Sequence, residues 1–179
     1  GPALVVADLA YAEFADEDLT ETALRLPNVA TTRSLSKAWG LAGLRVGYTI
    51  ASRAVVQAMR VAGGPYTVPG PSLALAAATL RAGEAQMQSY VSRVRVERDA
   101  RWRLLKQLGA DALPSQANFV TAYFHDARRV QSSLRQVGIA VHGYPAGHAM
   151  ERALRITCPA GAACFARLES ALRAVLPGV

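Results

Sequence analysis

The sequence predicts an α/β fold followed by a small α+β layer, and the order of its short apolar runs is the main reason. Residues 3–7 ("ALVVA"), 28–35 ("NVATTRSL") and 44–51 ("LRVGYTIA") are strand-like runs separated by helical or loop segments. The connections are long enough for parallel pairing, which is usual in α/β sheets. Beyond residue 115 the order strand, helix, strand, strand, helix predicts a small layer with one helical face.

The first run is apolar along its whole length and is followed by Asp8, which predicts a buried strand with a carboxylate at its C-terminal end. Ligands of open α/β sheets bind at the carboxyl ends of the strands, so Asp8 is a candidate site residue. Further along the chain, apolar spacing predicts a helix over 52–63 that ends at Gly63-Gly64-Pro65.

The segment 63–72 is the richest in proline and glycine and is the best candidate for a domain boundary. We expect a first domain over residues 1–75 and a second over residues 76–179, the second including a long helix. The elements predicted after the boundary are helices at 72–82, 84–108, 126–138 and 162–176 and strands at 115–124, 139–144 and 152–159.

The composition predicts a globular protein. With 179 residues, 51% of them hydrophobic, the chain can form one ordinary core or two small ones. No apolar run reaches the roughly 18 to 20 residues that span a bilayer, and the N-terminus lacks a secretory signal. We therefore expect a cytoplasmic protein without a membrane partner. Cys158 and Cys164 have no further ligand at metal-binding spacing, so we interpret them as small hydrophobic residues and expect no metal site.

The net charge of +7 raises the question of a nucleic-acid partner. The densest basic cluster lies in residues 92–103, where arginines spread around a predicted helix and acidic Glu97 and Asp99 are interleaved. The arginines of this cluster are Arg93, Arg95, Arg98, Arg101 and Arg103. This pattern is typical of a solvated helix face, and no recognisable nucleic-acid module accompanies it. We therefore expect no nucleic-acid partner.

Lysine is rare in this chain, which has 18 arginines but only Lys37 and Lys106. A lysine amine, unlike a guanidinium, can lose its proton and condense with an aldehyde. Lys37 is preceded by Ser34 and Ser36, and Arg45 follows a glycine-rich stretch. Hydroxyls, backbone amides freed by glycine and a guanidinium are the groups that bind a phosphate dianion. The combination predicts a phosphorylated aldehyde, for which pyridoxal 5′-phosphate is the obvious candidate.

Asp8 and Tyr11 complete this candidate site. Such a cofactor needs an acid that keeps its pyridine nitrogen protonated, and Asp8 can do this from the strand end. Tyr11, three residues further on, can donate a hydrogen bond to the phenolate oxygen of the ring. Each residue also has an ordinary structural interpretation, because a lysine in a Gly/Ser loop is commonly solvated, an aspartate ending a strand forms a turn and a nearby tyrosine packs.

Four segments resemble the fold-type I aminotransferases, and within them the histidinol-phosphate aminotransferase branch. The segment "VVADLAYAEF" at 5–14 is similar to the family's strand-Asp-x-Ala-Tyr-x-Glu-Phe segment. The segment "TRSLSKAWGLAGLRVGY" at 32–48 is similar, almost residue for residue, to the family's lysine motif. Further along, "SQANFV" at 115–120 and "LRIT" at 154–157 resemble two strands at the family's substrate end. The resemblance covers essentially the whole chain.

The resemblance implies the C-terminal part of the pyridoxal-phosphate-binding large domain, a mostly parallel sheet with helices, followed by a small α+β C-terminal domain. The cofactor residues that it implies are Lys37 for the covalent bond, Ser34, Ser36 and Arg45 for the phosphate, Asp8 for the pyridinium nitrogen and Tyr11 for the ring oxygen. At the substrate end it implies Asn118 and Arg155. The implied activity is a ping-pong amino transfer between a phosphorylated or aromatic amino substrate such as histidinol phosphate and 2-oxoglutarate, in a homodimer.

The sequence departs from the family's pattern in three places. The family's glutamate is Leu9 here, its Gly-Thr after the "LRIT" strand is Cys158-Pro159, and an arginine of the histidinol-phosphate enzymes is His142. A neutral or half-charged imidazole binds phosphate less well than a guanidinium does. We therefore place His142 at the substrate site as a weak phosphate contact, with a surface polar residue or a core histidine as alternatives.

Members of this family are considerably longer, so we expect this chain to be the C-terminal half of such an enzyme and to be inactive by itself. A threonine-phosphate decarboxylase-like enzyme is one alternative, since it would use the same Lys37, Asp8 and Arg45. A non-catalytic, aminotransferase-like effector domain of a transcription regulator is another. Carbon dioxide release would identify the decarboxylase, and an upstream winged-helix segment would favour the regulator.

Overall fold

The computed structural model describes residues 3–176, and the chain divides into two compact units between Val91 and Ser92. The division falls inside a long helix, Glu84–Gln107. The expected boundary near residue 75 concerned functional domains and stays a prediction.

The first unit contains a three-stranded sheet in the order β1-β2-β3. Strand β1 (Val5–Asp8) pairs in parallel with β2 (Val29–Ser34), in a register that runs from Val5 opposite Val29 to Asp8 opposite Thr32. Strand β3 (Gly47–Ala51) pairs with the other edge of β2. The helices of this unit are α1 (Thr20–Leu24), α2 (Arg53–Gly63), α3 (Gly70–Ala82) and the start of α4 (Glu84–Gln107).

Strand β3 runs antiparallel to β2, so the prediction of parallel pairing is confirmed for β1 and wrong for β3. The connection 35–46 contains only a single 3₁₀ turn, Ala42–Leu44, whereas the crossover between parallel strands usually contains an α-helix. The two antiparallel strands approach closely at Gly47, where a Cβ atom would lie 2.8 Å from the carbonyl oxygen of Arg33. A glycine therefore suits the start of β3.

Strand β1 ends at Asp8, as predicted, but the prediction that this strand is buried is wrong. Val5 is 49% exposed and Val6 is 60% exposed, so neither face of this edge strand is covered at these positions. The central strand β2 contributes the buried residues Val29, Ala30 and Thr31. An apolar run thus located a strand correctly without indicating whether its faces are covered.

The second unit contains a four-stranded antiparallel sheet in the order β4-β5-β7-β6. Its strands are β4 (Asp111–Ala112), β5 (Phe119–Tyr123), β6 (His142–Gly143) and β7 (Ala153–Thr157). Its helices are α5 (Ala127–Gln136), α6 (Ala162–Val175) and the remainder of α4. The predicted order of strand, helix, strand, strand and helix is confirmed, with the short β4 as an addition.

One core holds the second unit together. It consists of apolar residues from the end of α4, from α5 and α6 and from alternate positions of β5 and β7. These include Leu104, Leu105, Val120, Ala122, Val130, Leu134, Leu154, Ile156, Leu168 and Leu172. Because side chains alternate across a strand, Thr121 and Arg155, which lie between these positions, belong to the opposite face of the sheet.

The arginine cluster on α4 is not uniformly solvated, so its interpretation as a solvated face is wrong for Arg98 and Arg101, which are both buried. Arg101 forms an ion pair with Glu97 and donates a hydrogen bond to the carbonyl oxygen of Thr157 at the end of β7. Its Nη1 also lies 3.6 Å from Sγ of Cys158. Partners on a distant strand therefore replace water around this guanidinium.

Helix α4 is long, but its many charged side chains are incompatible with a bilayer. Across residues 3–176 no helix combines the length and the apolar character needed to cross a membrane. Over the same residues, no three His, Cys, Asp or Glu side chains are grouped so that they could hold a metal ion.

The two cysteines are expected to differ in reactivity, because Cys158 is buried and Cys164 is exposed. Burial raises the pKa of the Cys158 thiol from 9.0 to about 11, despite the opposing charge of Arg101. Iodoacetamide at about pH 8 should therefore alkylate Cys164 in the folded chain and reach Cys158 only after unfolding. Peptide mass spectrometry before and after urea treatment measures this.

The same shift sets a pH dependence of stability. Because the thiol ionises more easily in the unfolded chain, its contribution to the free energy of unfolding is complete below pH 9 and is lost as the pH rises towards 11. The difference in unfolding free energy between the wild type and Cys158→Ala should shrink over this range. Equal alkylation of both cysteines in the folded chain would contradict the burial of Cys158.

Candidate active site

The loop that carries Lys37 is fixed by a small apolar cluster. Leu35 and Val46, at the two ends of the loop, are buried together with Ala76 of α3. The amide of Leu35 donates a hydrogen bond to the carbonyl oxygen of Val46 at 3.1 Å. The amide of Leu41 donates to the carbonyl oxygen of Leu35 at 2.9 Å. Packing and hydrogen bonds therefore hold this glycine-containing loop in one conformation.

The two lysines have different surroundings. Nζ of Lys106 forms an ion pair with Asp111 at 3.0 Å on the surface. Nζ of Lys37 lies 5.3 Å from the centroid of the Tyr11 ring, and it forms no ion pair with any carboxylate of the described residues. Since no ion pair with a described carboxylate holds it, the Lys37 amine can react as a nucleophile without first breaking one.

Asp8 stands at the carboxyl end of β1, and its Oδ1 accepts a hydrogen bond from the amide of Ala10 at 3.0 Å. The hydroxyl of Thr32 lies 3.5 Å from the same oxygen. Oδ2 has no protein partner within the described part of the chain. Asp8 therefore forms a local turn with one oxygen, while the other oxygen is available to a ligand.

The predicted phosphate residues lie on both sides of Lys37. Oγ of Ser34 accepts a hydrogen bond from the amide of Ser36 at 3.1 Å, which shapes the chain just before the lysine. Arg45 follows the 3₁₀ turn and has left-handed backbone angles, with φ of 56° and ψ of 36°. Its exposed side chain donates from Nη1 to the carbonyl oxygen of Ala42 at 3.1 Å. For a residue other than glycine, left-handed backbone angles cost about 1–3 kcal/mol. Residues strained in this way occur most often at functional sites.

In the second unit, Arg155 on β7 lies opposite His142 on β6 in the strand register. The guanidinium carbon of Arg155 is 4.9 Å from the centroid of the Phe119 ring, which holds the guanidinium by a cation–π contact. Nε of Arg155 is buried and has no hydrogen-bond partner among the described residues. The backbone carbonyl of Asn118 accepts a hydrogen bond from the amide of Cys158 at 2.7 Å.

His142 is exposed, so the alternative of a core histidine is wrong. Its ring contacts Tyr144 edge to face at 5.0 Å, and Tyr144 in turn stacks on His148 at 5.0 Å. The histidine thus extends an aromatic group from the strand pair that carries Arg155.

The structure groups the predicted site residues into two sets. The first unit contains the predicted cofactor residues Asp8, Tyr11, Ser34, Ser36, Lys37 and Arg45. The second contains the predicted substrate residues Asn118, His142 and Arg155. The first set offers an amine, two hydroxyls, a guanidinium, a phenol and a carboxylate with one oxygen unpartnered. This set of groups fits a phosphorylated pyridine aldehyde such as pyridoxal 5′-phosphate.

Sequence reasoning overlooked Arg33 and Glu13, which form a nearly buried ion pair at 2.9 Å. Arg33 also binds Asp18 at 2.8 Å. Although burial disfavours the charge, hydrogen bonds to Glu13 and Asp18 raise the pKa of Arg33 above its usual value. The available signal was a charged residue, Arg33, inside a strand-like run of small β-branched residues.

The chain belongs to the aminotransferase class I and II family, whose model matches residues 2–170. It is 35% identical over 158 residues to the histidinol-phosphate aminotransferase of Thermoanaerobacter pseudethanolicus, covering 86% of this chain and 44% of that protein. It is 37% identical over 161 residues to the histidinol-phosphate aminotransferase of Xanthomonas axonopodis pv. citri, covering 88% and 44%.

The fold is also similar to a solved structure, the histidinol-phosphate aminotransferase of Sinorhizobium meliloti in complex with pyridoxal-5′-phosphate. The TM-score is 0.79 and the sequence identity 29%, over 97% of this chain and 49% of that chain. This chain therefore spans about half the length of the proteins that it matches.

Arg45 provides a test of the phosphate site, because its backbone favours glycine while the proposed role requires the guanidinium. Arg45→Gly should be about 1 kcal/mol more stable than Arg45→Ala, since only glycine relieves the left-handed backbone. Both variants should bind pyridoxal 5′-phosphate about tenfold or more weakly than the wild type, since both lose a charge-assisted contact.

Urea unfolding measures the stability difference. Titration with pyridoxal 5′-phosphate, with pyridoxal as the control that lacks phosphate, measures the contact. If both variants bind pyridoxal 5′-phosphate with wild-type affinity, Arg45 does not contact the phosphate.

Proposed function

We propose that this chain carries the cofactor lysine and the substrate arginine of a pyridoxal-phosphate-dependent aminotransferase. The amino donor is a phosphorylated or aromatic amino compound such as histidinol phosphate, and the acceptor is a 2-oxo acid such as 2-oxoglutarate. The family membership and the similarity to three histidinol-phosphate aminotransferases support this proposal.

The observation that carries the proposal is the setting of Lys37. Its amine contacts the face of Tyr11 and has no carboxylate partner among the described residues, while the chain's other lysine is ion-paired. The loop around it presents Ser34, Ser36 and Arg45, which are the residue types that bind a phosphate.

Pyridoxal 5′-phosphate supplies an aldehyde that takes up the amino group and a ring that withdraws electrons from the reacting carbon. Lys37 would hold the cofactor at its aldehyde. The free Nζ of Lys37 would also be the base that removes the proton from the donor's α-carbon. Among the described residues no carboxylate pairs with this amine, whereas Asp111 pairs with Lys106.

Asp8 and Tyr11 would act on the two ends of the cofactor ring. The unpartnered Oδ2 of Asp8 can accept a hydrogen bond from the ring nitrogen and keep it protonated. The Tyr11 hydroxyl can donate to the ring oxygen, and its ring lies beside the amine of Lys37. Asp8 thereby controls the electron demand of the ring, and Tyr11 its orientation.

Arg155, His142 and Asn118 would recognise the substrate. The plane of the Arg155 guanidinium is fixed over Phe119, and a fixed guanidinium can bind a carboxylate or phosphate through two parallel hydrogen bonds. His142, opposite Arg155 in the strand register, would add a contact weaker than that of a guanidinium. A ping-pong enzyme passes donor and acceptor through one site, so Arg155 would bind an anion of each in turn.

The remaining expectations concern the whole protein. A homodimer and a cytoplasmic location remain predictions, as does the inactivity of this chain by itself, since the chain spans about half the length of its relatives.

Lys37 should be the residue that binds the cofactor covalently, because its amine has no carboxylate partner among the described residues. In the natural polypeptide that contains this chain, borohydride reduction in the presence of pyridoxal 5′-phosphate should label Lys37. Lys37→Ala should abolish that label and lower amino transfer by several orders of magnitude, since nucleophile and base are lost together. Peptide mass spectrometry and an assay with histidinol phosphate and 2-oxoglutarate measure the two effects.

Lys106→Ala is the matched control and should retain both label and activity. Label at Lys106 in preference to Lys37 would overturn the cofactor assignment. Carbon dioxide release without a keto product would show that the activity is that of a decarboxylase. The assignment of Lys37 as the cofactor residue would then still hold.

Donor choice should depend on Arg155 and His142. Arg155→Met should cost about 2–4 kcal/mol of transition-state binding in both half-reactions, because a bidentate anion contact is lost. His142→Arg should shift preference from phenylalanine towards histidinol phosphate, because a guanidinium binds a phosphate better than an imidazole does. The ratio of kcat/KM for the two donors between about pH 6 and 9 measures this shift. An unchanged ratio at every pH would show that position 142 does not contact the donor.

A further inference from the structure

We infer that Arg33 is a positioning residue, which holds the Tyr11 ring against Lys37 by tying the turn after β1 to strand β2. This inference rests on the proposed function, because Tyr11 and Lys37 act there on one cofactor. It concerns the first unit alone.

The two segments that carry Tyr11 and Lys37 separate at the end of β1. The last register pair of β1 and β2 is Asp8 with Thr32, and the amide of Leu9 donates to Thr32 at 2.9 Å. Beyond this point β2 continues, with Arg33 opposite Tyr48 of β3. The other segment turns into the 3₁₀ helix Ala12–Phe14, just after Tyr11.

The Arg33 side chain bridges the two separating segments. Its Nη2 binds Oε1 of Glu13 at 2.9 Å, and its Nη1 binds Oδ2 of Asp18 at 2.8 Å and Oγ1 of Thr20 at 2.9 Å. The side chains of Arg33 and Glu13 are 10% and 12% exposed, whereas that of Asp18 is 50% exposed. The contact to Glu13 is therefore the nearly buried one, and breaking it should cost more than breaking the half-exposed contact to Asp18.

Glu13 is linked to Tyr11 through a single turn of the chain. The amide of Phe14 donates to the carbonyl oxygen of Tyr11 at 2.9 Å, which closes the turn around Glu13. Phe14 is fully buried and packs edge to face on Tyr90 at 6.1 Å. The turn is thus anchored by Phe14 on one side and by Glu13 on the other, and the Tyr11 ring lies over Nζ of Lys37.

An arginine suits this position better than a lysine. The guanidinium reaches Glu13 with one nitrogen and Asp18 with the other, in the fixed fork that only arginine offers. A lysine at position 33 can preserve charge but can hold only one carboxylate well. Arg33→Lys should therefore keep part of the effect that Arg33→Gln removes.

The test is reductive labelling of the natural polypeptide that contains this chain. The protein is incubated with pyridoxal 5′-phosphate, reduced with borohydride and digested, and the label at Lys37 is expressed relative to that at Lys106 as an internal reference. A parallel sample is treated with formaldehyde, which has neither ring nor phosphate and so reports access to the Lys37 amine alone.

The labelling ratio with pyridoxal 5′-phosphate should fall about tenfold in Arg33→Gln and in Glu13→Gln, and by less than about twofold in Asp18→Asn. The formaldehyde ratio should stay at the wild-type value in all three. Tyr11→Phe should lower the ratio likewise, and adding Arg33→Gln to Tyr11→Phe should lower it no further, because both act through the same hydroxyl.

Three results would overturn the inference. The first is a wild-type Lys37 to Lys106 labelling ratio in Arg33→Gln, and the second is that Arg33→Gln lowers this ratio as much in the Tyr11→Phe background as in the wild type. The third is an equal loss of formaldehyde labelling, which would indicate that the substitution loosens the fold in general. If Arg33→Gln does not fold by circular dichroism, Glu13→Gln and Arg33→Lys carry the same comparison. Equal labelling of Lys37 and Lys106 in the wild type would overturn the proposed function itself, and with it this inference.

Discussion

The end of the pairing between β1 and β2, at Asp8 and Thr32, is the constraint on which the candidate cofactor site depends. Up to that point the backbones of β1 and β2 form hydrogen bonds with each other. Past it, one segment turns away with Tyr11, and the other continues along β3 towards Lys37. Polar groups at such an opening are free to bind a ligand, because no neighbouring strand occupies them. The apolar cluster under the loop and the Arg33 ion pairs keep the opening in a fixed shape.

The positions of helices and strands could largely be predicted from the sequence, because periodicity is a local property. The helices over 53–63 and 84–107 lie within a residue of the predicted ranges. The direction of β3 could not be predicted, since a strand pattern carries no orientation and the 3₁₀ turn in its connection has no sequence signature. The burial of Arg101 could not be predicted from the sequence either, because the carbonyl oxygen that it contacts on β7 lies 56 positions away.

The candidate site shows the same division between local and distant information. The rarity of lysine and the serines beside it pointed to Lys37, and the structure places its amine over Tyr11. The ion pairs of Arg33 join residues 15 and 20 positions apart, so nothing next to Arg33 in the sequence indicates them. The register that sets His142 opposite Arg155 depends on a strand of only two residues, too short for an alternating pattern.

The unequal surroundings of the two lysines also bear on chemical damage. Small acyl donors and reducing sugars attack neutral amines and leave guanidinium groups largely intact, and the chain carries its positive charge almost entirely as arginine. Of its two lysines, Lys106 forms an ion pair with Asp111, and Lys37 forms none with any described carboxylate. A single acylation at Lys37 would remove both nucleophile and charge. A cofactor bound at that amine, as proposed, would therefore also protect it.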